Sequence, residues 1–195
     1  MRRSFSVFSR HGKVNLYELT REDLNQKLLS YGEKSTYRSS QIMEWIYQKG
    51  ITDFQQMKNL PISLRNLLHE KISIGSYEIV KQVISKDGTI KRVIKFPDHQ
   101  IIEAVMMPYD DGRRTVCISS QVGCAMGCVF CATGQMGYSR QLTSTEIFEQ
   151  VVMYSSELQQ KGERLSNIVF MGMVRKSLSW IHFFDPLSHC HRENH

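Results

Sequence analysis

The chain has 195 residues, 41% of them hydrophobic and 23% charged, and a formal net charge of +6. That length allows one good core, or a small helical module beside part of a larger domain, and no apolar run approaches a membrane span, so a soluble protein is expected. Arg2, Arg3, Arg10 and Lys13 supply four of the positive charges before the first acid, Glu18, so the rest of the chain is nearly balanced and charge alone gives only mild support for a nucleic-acid partner.

Residues 1–14 are rich in Arg and Ser, lack acids and carry Phe5, Val7 and Phe8. That composition suits either an organellar leader, mitochondrial or plastid, or a disordered basic arm. Residues 15–72 read as a small helical domain. Thr20 opens a capping-box-like Thr-Arg-Glu-Asp followed by Leu24 and Leu28 at helical spacing, which predicts a first helix to about Leu29. A second helix should hold Ile42, Met43, Trp45 and Ile46, and a third or fourth short one should start at Pro61 with Leu64, Leu67 and Leu68 on one face. Arg38, Lys49, Lys58 and Arg65 could contact phosphates from this module, although each also reads as an ordinary surface charge.

Between 73 and 109 the period shortens to that of strands. Lys86-Asp-Gly-Thr89 is a hairpin signal, Ile90, Arg92, Ile94 and Phe96 would share a face, and Gln100 to Met107 reads as a third strand. These strands should form a small sheet leading into the next domain. From 110 to 173 the pattern is strand, loop, helix, strand. Thr115 to Ile118 is the first strand and Thr143-Ser-Thr-Glu146 a second capping box. Ile147, Val151, Tyr154 and Leu158 make an apolar helix stripe, and Asn167 to Met171 is a short run suited to a buried parallel strand.

The loop after the first of these strands carries Cys124-Ala-Met-Gly-Cys128-Val-Phe-Cys131. A C-x3-C-x2-C spacing can seat three corners of a [4Fe-4S] cube and leave the fourth iron open to a chelating small molecule such as S-adenosylmethionine. A tetrahedral zinc site would want a fourth Cys or His close by, and cysteines that only fill a core would not need Gly123, Ala125 and Gly127 around them. Cys117 stands seven residues before Cys124, beyond that ligand spacing, and could equally be a small buried hydrophobe. Glu103 is a lone acid within an apolar strand; burial would raise its pKa and suit it to proton transfer, whereas on a solvent-facing edge it would be an ordinary surface acid.

The string from Cys117 through Cys124, Cys128 and Cys131 to Arg140 resembles the RlmN/Cfr family of radical-SAM RNA adenine methyltransferases, as do Tyr37 to Tyr47 upstream and Asn167 to Met173 downstream. The resemblance implies an α/β fold, with the helical domain followed by the first part of a radical-SAM partial (β/α) barrel. It implies a [4Fe-4S] cluster on Cys124, Cys128 and Cys131, S-adenosyl-L-methionine as cofactor, and Phe130 beside its adenine. The implied reaction methylates C2 of an adenosine in large-subunit rRNA, and in some members tRNA. There a methylated protein cysteine delivers its carbon, Glu103 matches the proton acceptor and Cys117 the cysteine that resolves the protein–RNA crosslink. An electron donor, a cytoplasmic location and a monomeric state follow from the same resemblance.

The family continues Met-Gly-Met with Gly-Glu-Pro, whereas Met173 is followed here by Val174-Arg175-Lys176. Residues 174–195 match nothing in the family, and the residues after Cys131 are too few to finish a barrel, which typically needs roughly 200 residues or more. An incomplete form is the expectation, with the methyl-carrying cysteine lost. Cys190, within Ser188-His-Cys-His191, does not match its segment, and the group His182, His189, Cys190, His191 and His195 reads as accidental composition. A non-catalytic RNA-binding remnant and an iron–sulfur protein with another reaction are the alternatives.

Overall fold

The computed structural model describes residues 12–171. The expectations for the basic leader before Gly12, and for Met173, Cys190 and the histidines of the tail, lie outside the described residues. Two compact units make up the rest, one of residues 12–78, 95–99 and 152–164, the other of residues 79–94, 100–151 and 165–171.

In the first unit, β1 (Val14–Asn15) carries the chain into a single 3-10 turn and then α1 (Arg21–Ser30). The expected cap is present: the Thr20 hydroxyl accepts from the Asp23 amide at 3.1 Å, and the Asp23 carboxylate accepts from the Thr20 amide at 3.2 Å. Helix α2 (Arg38–Tyr47) follows, and Pro61 caps α3 (Ile62–Lys71), where a residue without an N–H loses nothing and its fixed φ suits helix entry. The C-terminus of α3 carries Lys71, a cation that complements the helix dipole.

The apolar positions read from the sequence converge: Leu24 and Leu28, Ile42 and Ile46, Leu64 and Leu68 are buried together with Leu16, Phe54, Met57, Leu60 and Ile72. Each such side chain contributes about 1.5–3 kcal/mol by leaving water. The module is closed by β2 (Ile72–Ser73), which pairs in parallel with β1, Val14 opposite Ile72. Lys13 donates to the His69 carbonyl at 2.6 Å, so the fold begins inside the stretch that composition alone assigns to the leader.

The second unit is built on a sheet that opens with β3 (Glu78–Ile84) and β4 (Ile90–Lys95), joined by the expected hairpin. Asp87 accepts from both the amide and the hydroxyl of Thr89 at 3.0 Å, and these bonds hold its carboxyl below the usual range. Ile90 and Ile94 face inward as the alternation requires, and so does Arg92, whose Nε donates to Gln82 Oε1 at 2.7 Å. Next comes β5 (Ile101–Pro108), which buries Ile102, Ala104 and Met106 and leaves Ile101 and Glu103 on the other side.

Antiparallel to β5 runs β6 (Arg114–Ile118). The chain then leaves the sheet through β7 (Gln121–Gly123), the cysteine loop, a short α4 (Ala132–Gln135) and β8 (Tyr138–Gln141), which pairs back onto β7. It returns through α5 (Ser144–Gln160) to β9 (Asn167–Phe170), parallel to β6 from Thr115–Asn167 to Ile118–Phe170. This is the βαβ unit read from the sequence. The strands of the 73–109 segment form no sheet of their own but continue without a break into β6 and β9, in the order β3-β4-β5-β6-β9. No helix among the described residues is long and apolar enough to cross a membrane.

Candidate functional site

The site is organised by the C-terminal ends of β6 and β9, which lie side by side; the Met171 amide donates to the Ile118 carbonyl at 2.8 Å there. Loops at this end of parallel strands are where barrel chemistry is placed. The loop leaving β6 is the one that carries the cysteines.

The β5–β6 register sets Val105 directly opposite Cys117, so both point to the same face of the sheet. Glu103, two residues along from Val105, shares that face, and its carbonyl accepts from the Ser119 hydroxyl at 2.8 Å. Glu103 and Cys117 are therefore diagonal cross-strand neighbours, about 7–8 Å apart at the backbone. On the other flank Val169 of β9 faces Cys117. Two residues that the sequence offers separately stand on one surface.

Their environments differ. Cys117 is half-buried between two strands, and burial pushes its thiol above the usual range. Glu103 is not buried: its side chain is 49% exposed and its carboxylate pairs with Lys91 Nζ at 3.0 Å. The burial expected of a tuned proton acceptor is absent, and Glu103 stands on the exposed face of β5. Alternation gives a residue's parity, not which face is covered, so the sequence could not decide this.

Cys124 is buried, while Cys128 and Cys131 are partly exposed; with Cys117, all are free thiols. Two glycines fix the loop's path. Gly123 has φ +71, and a Cβ there would collide with the Gly137 carbonyl, the same oxygen that accepts from the Cys124 amide at 2.9 Å. A Cβ on Gly134 would meet Cys128 N at 2.9 Å, so α4 lies directly against the loop. The Cys131 amide donates to the Cys128 carbonyl at 3.0 Å, turning the chain between the last two cysteines. Phe130 projects outward at 89% exposure, flanked by exposed Met126 and Val129.

On the helical module, three of the four cations read as phosphate contacts have partners of their own. Arg38 donates to Gln41 Oε1 at 2.8 Å and lies over the Tyr37 ring, Lys49 pairs with Glu44 at 3.1 Å over Trp45, and Arg65 donates to the Gln55 carbonyl at 2.7 Å.

Residues 14–74 match the family described as the ribosomal RNA large subunit methyltransferase N-terminal domain. Across both units the chain is 39% identical over 160 residues to the dual-specificity RNA methyltransferase RlmN of Alkalilimnicola ehrlichii, covering 82% of this chain and 44% of the relative. It is 45% identical over 161 residues to the RlmN of Vesicomyosocius okutanii, covering 83% and 45%. The crystal structure of a radical SAM methyltransferase from Sphaerobacter thermophilus superposes with a TM-score of 0.69 at 40% identity, over 80% of this chain and 47% of that one. The chain is similar to RlmN proteins along most of its length. It spans about half the length of the curated relatives it matches. Its fold is α/β, a helical domain followed by part of the radical-SAM fold.

Similarity to a radical SAM methyltransferase raises the question of a [4Fe-4S] cluster and S-adenosylmethionine. Among the described residues no three His, Cys, Asp or Glu side chains converge to hold a metal ion. The fit rests on the chemistry of the donor set: three unoxidised thiols within Cys124–Cys131, on a loop with two glycine-dependent close approaches. A three-thiolate set of this kind suits an iron–sulfur cluster better than a four-ligand zinc site. The polar residues around the loop's ends, Ser119, Arg140 and Gln150, were not singled out from sequence. A glutamine on the apolar stripe of Ile147, Val151 and Tyr154 was the available signal.

Proposed function

We propose that the chain forms the front part of a radical-SAM RNA methyltransferase that modifies C2 of an adenosine in large-subunit rRNA, and in tRNA. Cys124, Cys128 and Cys131 would ligate three irons of a [4Fe-4S] cluster, with S-adenosylmethionine on the fourth beside Phe130. When bound, that pair supplies the hydrogen-abstracting radical chemistry that an unactivated sp2 carbon requires, since C2 has no acidic proton for a polar transfer.

The chain's own residues act at the crosslinked stage. The Cys117 thiolate bonds to the sulfur of a methyl-carrying cysteine as the latter's bond to the transferred carbon breaks; that carbon leaves with the bond's electron pair and takes a proton from solvent to end as a methyl group. Glu103 takes the proton from C2, its carboxylate held in place by the pair with Lys91 Nζ at 3.0 Å. The observation that carries the reading is the β5–β6 register, which puts Glu103 and Cys117 on one face of the sheet whose strand β6 leads into the cysteine loop. The target base must leave its stack to reach that face. The helical module and its Arg and Lys side chains would meet the RNA backbone, and reduction would need an external electron donor.

The test uses the full chain, loaded anaerobically with iron and sulfide, reduced, and given S-adenosylmethionine. Release of 5′-deoxyadenosine, abolished by Cys128→Ala, is the expected result. Retention of large-subunit rRNA fragments by the same chain would support the substrate class. RNA binding without nucleoside release would instead leave the helical module as the working part.

A further inference from the structure

The cysteine loop is bounded by Ser119 on entry and Arg140 on exit, and one helix holds both ends. On entry, the Ser119 amide donates to Gln150 Oε1 at 2.9 Å and Gln150 Nε2 donates back to the Ser119 carbonyl at 3.0 Å, with the two residues 2% and 1% exposed. On exit, the Arg140 guanidinium makes a two-pronged contact with Glu146, Nη1 and Nη2 each 2.8 Å from a carboxylate oxygen. Glu146 and Gln150 are one turn apart on α5, and Gln150 Nε2 also reaches the Glu146 carbonyl at 3.2 Å.

Helix docking alone does not account for this arrangement. Burying a carboxamide is costly unless its donors and acceptor are used, and an apolar side chain would pack the same stripe at no such cost. Here both Nε2 hydrogens and the Oε1 of Gln150 are engaged, two of the three contacts falling on the main chain of the residue that opens the loop. Arg140 sits opposite Val122 in the β7–β8 pair, so anchoring it also fixes the strand that delivers Cys124. Inside the loop the large side chains Met126, Val129 and Phe130 are exposed and contribute little burial of their own.

We propose that Gln150 and Glu146 are positioning residues: as a two-point clamp they set the separation of Ser119 and Arg140, and thereby the presentation of Cys124, Cys128 and Cys131. Resting on the reading that those thiols ligate a cluster, the proposal assigns the clamp to the loop before any cluster is bound.

The experiment measures, cysteine by cysteine, the rate of iodoacetamide alkylation in the cluster-free full chain. Gln150→Met and Arg140→Gln should each speed alkylation of Cys124 several-fold, with smaller rises at Cys128 and Cys131, and the double variant should be faster than either. Cys117, held between β5 and β9, should keep its parent rate. Thr143→Ala, which removes the α5 cap but leaves the clamp, should leave the loop cysteines at parent rates. A uniform rise at all four cysteines, or no rise at Cys124, would overturn the proposal. Iron and sulfide uptake is measured alongside: the double variant should load less than the parent. If the parent itself takes up none, the methyltransferase reading fails while the alkylation pattern still judges the clamp.

Discussion

The helical module and the cysteine loop answer to different physics. In the module, Leu24, Leu28, Ile42, Ile46, Leu64 and Leu68 are buried together, and two of its helices are started locally, by Thr20 and Asp23 on α1 and by Pro61 on α3. In the loop, Met126, Val129, Phe130 and Met136 are exposed, and its path is set by glycines and by hydrogen bonds from a helix outside it. One region is held by what it buries, the other by what grips its ends.

That contrast predicts a gradient of mutational effects. Leu68→Ala, in the sealed core, should cost about 2–5 kcal/mol in denaturant unfolding, the range for removing a buried leucine. A loss under about 1 kcal/mol would mean that the module's packing is looser than its burial indicates. Gly123→Ala should cost about 1–3 kcal/mol, since its φ of +71 and the Gly137 carbonyl both oppose a side chain. Its signature should be local, with hydrogen exchange accelerating through β7 and β8 while the helical module keeps its protection.

The next effect is one of rate. Because burial raises the Cys117 thiol, its alkylation should go on climbing, about tenfold per pH unit, beyond the ordinary cysteine range near about 8.5. A plateau at or below that range would show the thiol to be more solvated than the strand pairing indicates. Thr20→Ala should cost about 1 kcal/mol by uncapping α1. Smallest of all, Lys91→Met should change stability by no more than about 1 kcal/mol, because the pair with Glu103 is half in water. A larger loss would make that ion pair a structural strut instead of a feature of the site.

The same contrast decides what could be read from the sequence. Helix α1, the Asp87–Gly88 turn and the inward row of Ile90, Arg92 and Ile94 were legible because capping, turn chemistry and period act over a few residues. The parallel pairing of Val14–Asn15 with Ile72–Ser73 was not, since two-residue strands far apart in the chain have no period to detect. The β7–β8 pair was missed because Tyr138–Gln141 is polar and lacks alternation. Of the site, the cysteine spacing was plain. That Glu103 and Cys117 share a face depends on the β5–β6 register, which sequence alternation does not contain. That Glu146 grips Arg140 besides capping α5 depends on where β8 returns.

The most direct test of the central claim, that Cys124, Cys128 and Cys131 ligate a cluster with one open iron, is electron paramagnetic resonance of the anaerobically reconstituted, reduced chain with and without S-adenosylmethionine. The account predicts a [4Fe-4S] signal that shifts when S-adenosylmethionine is added and disappears in Cys124→Ala. A signal indifferent to S-adenosylmethionine, or uptake of zinc in place of an iron–sulfur cluster, would contradict it.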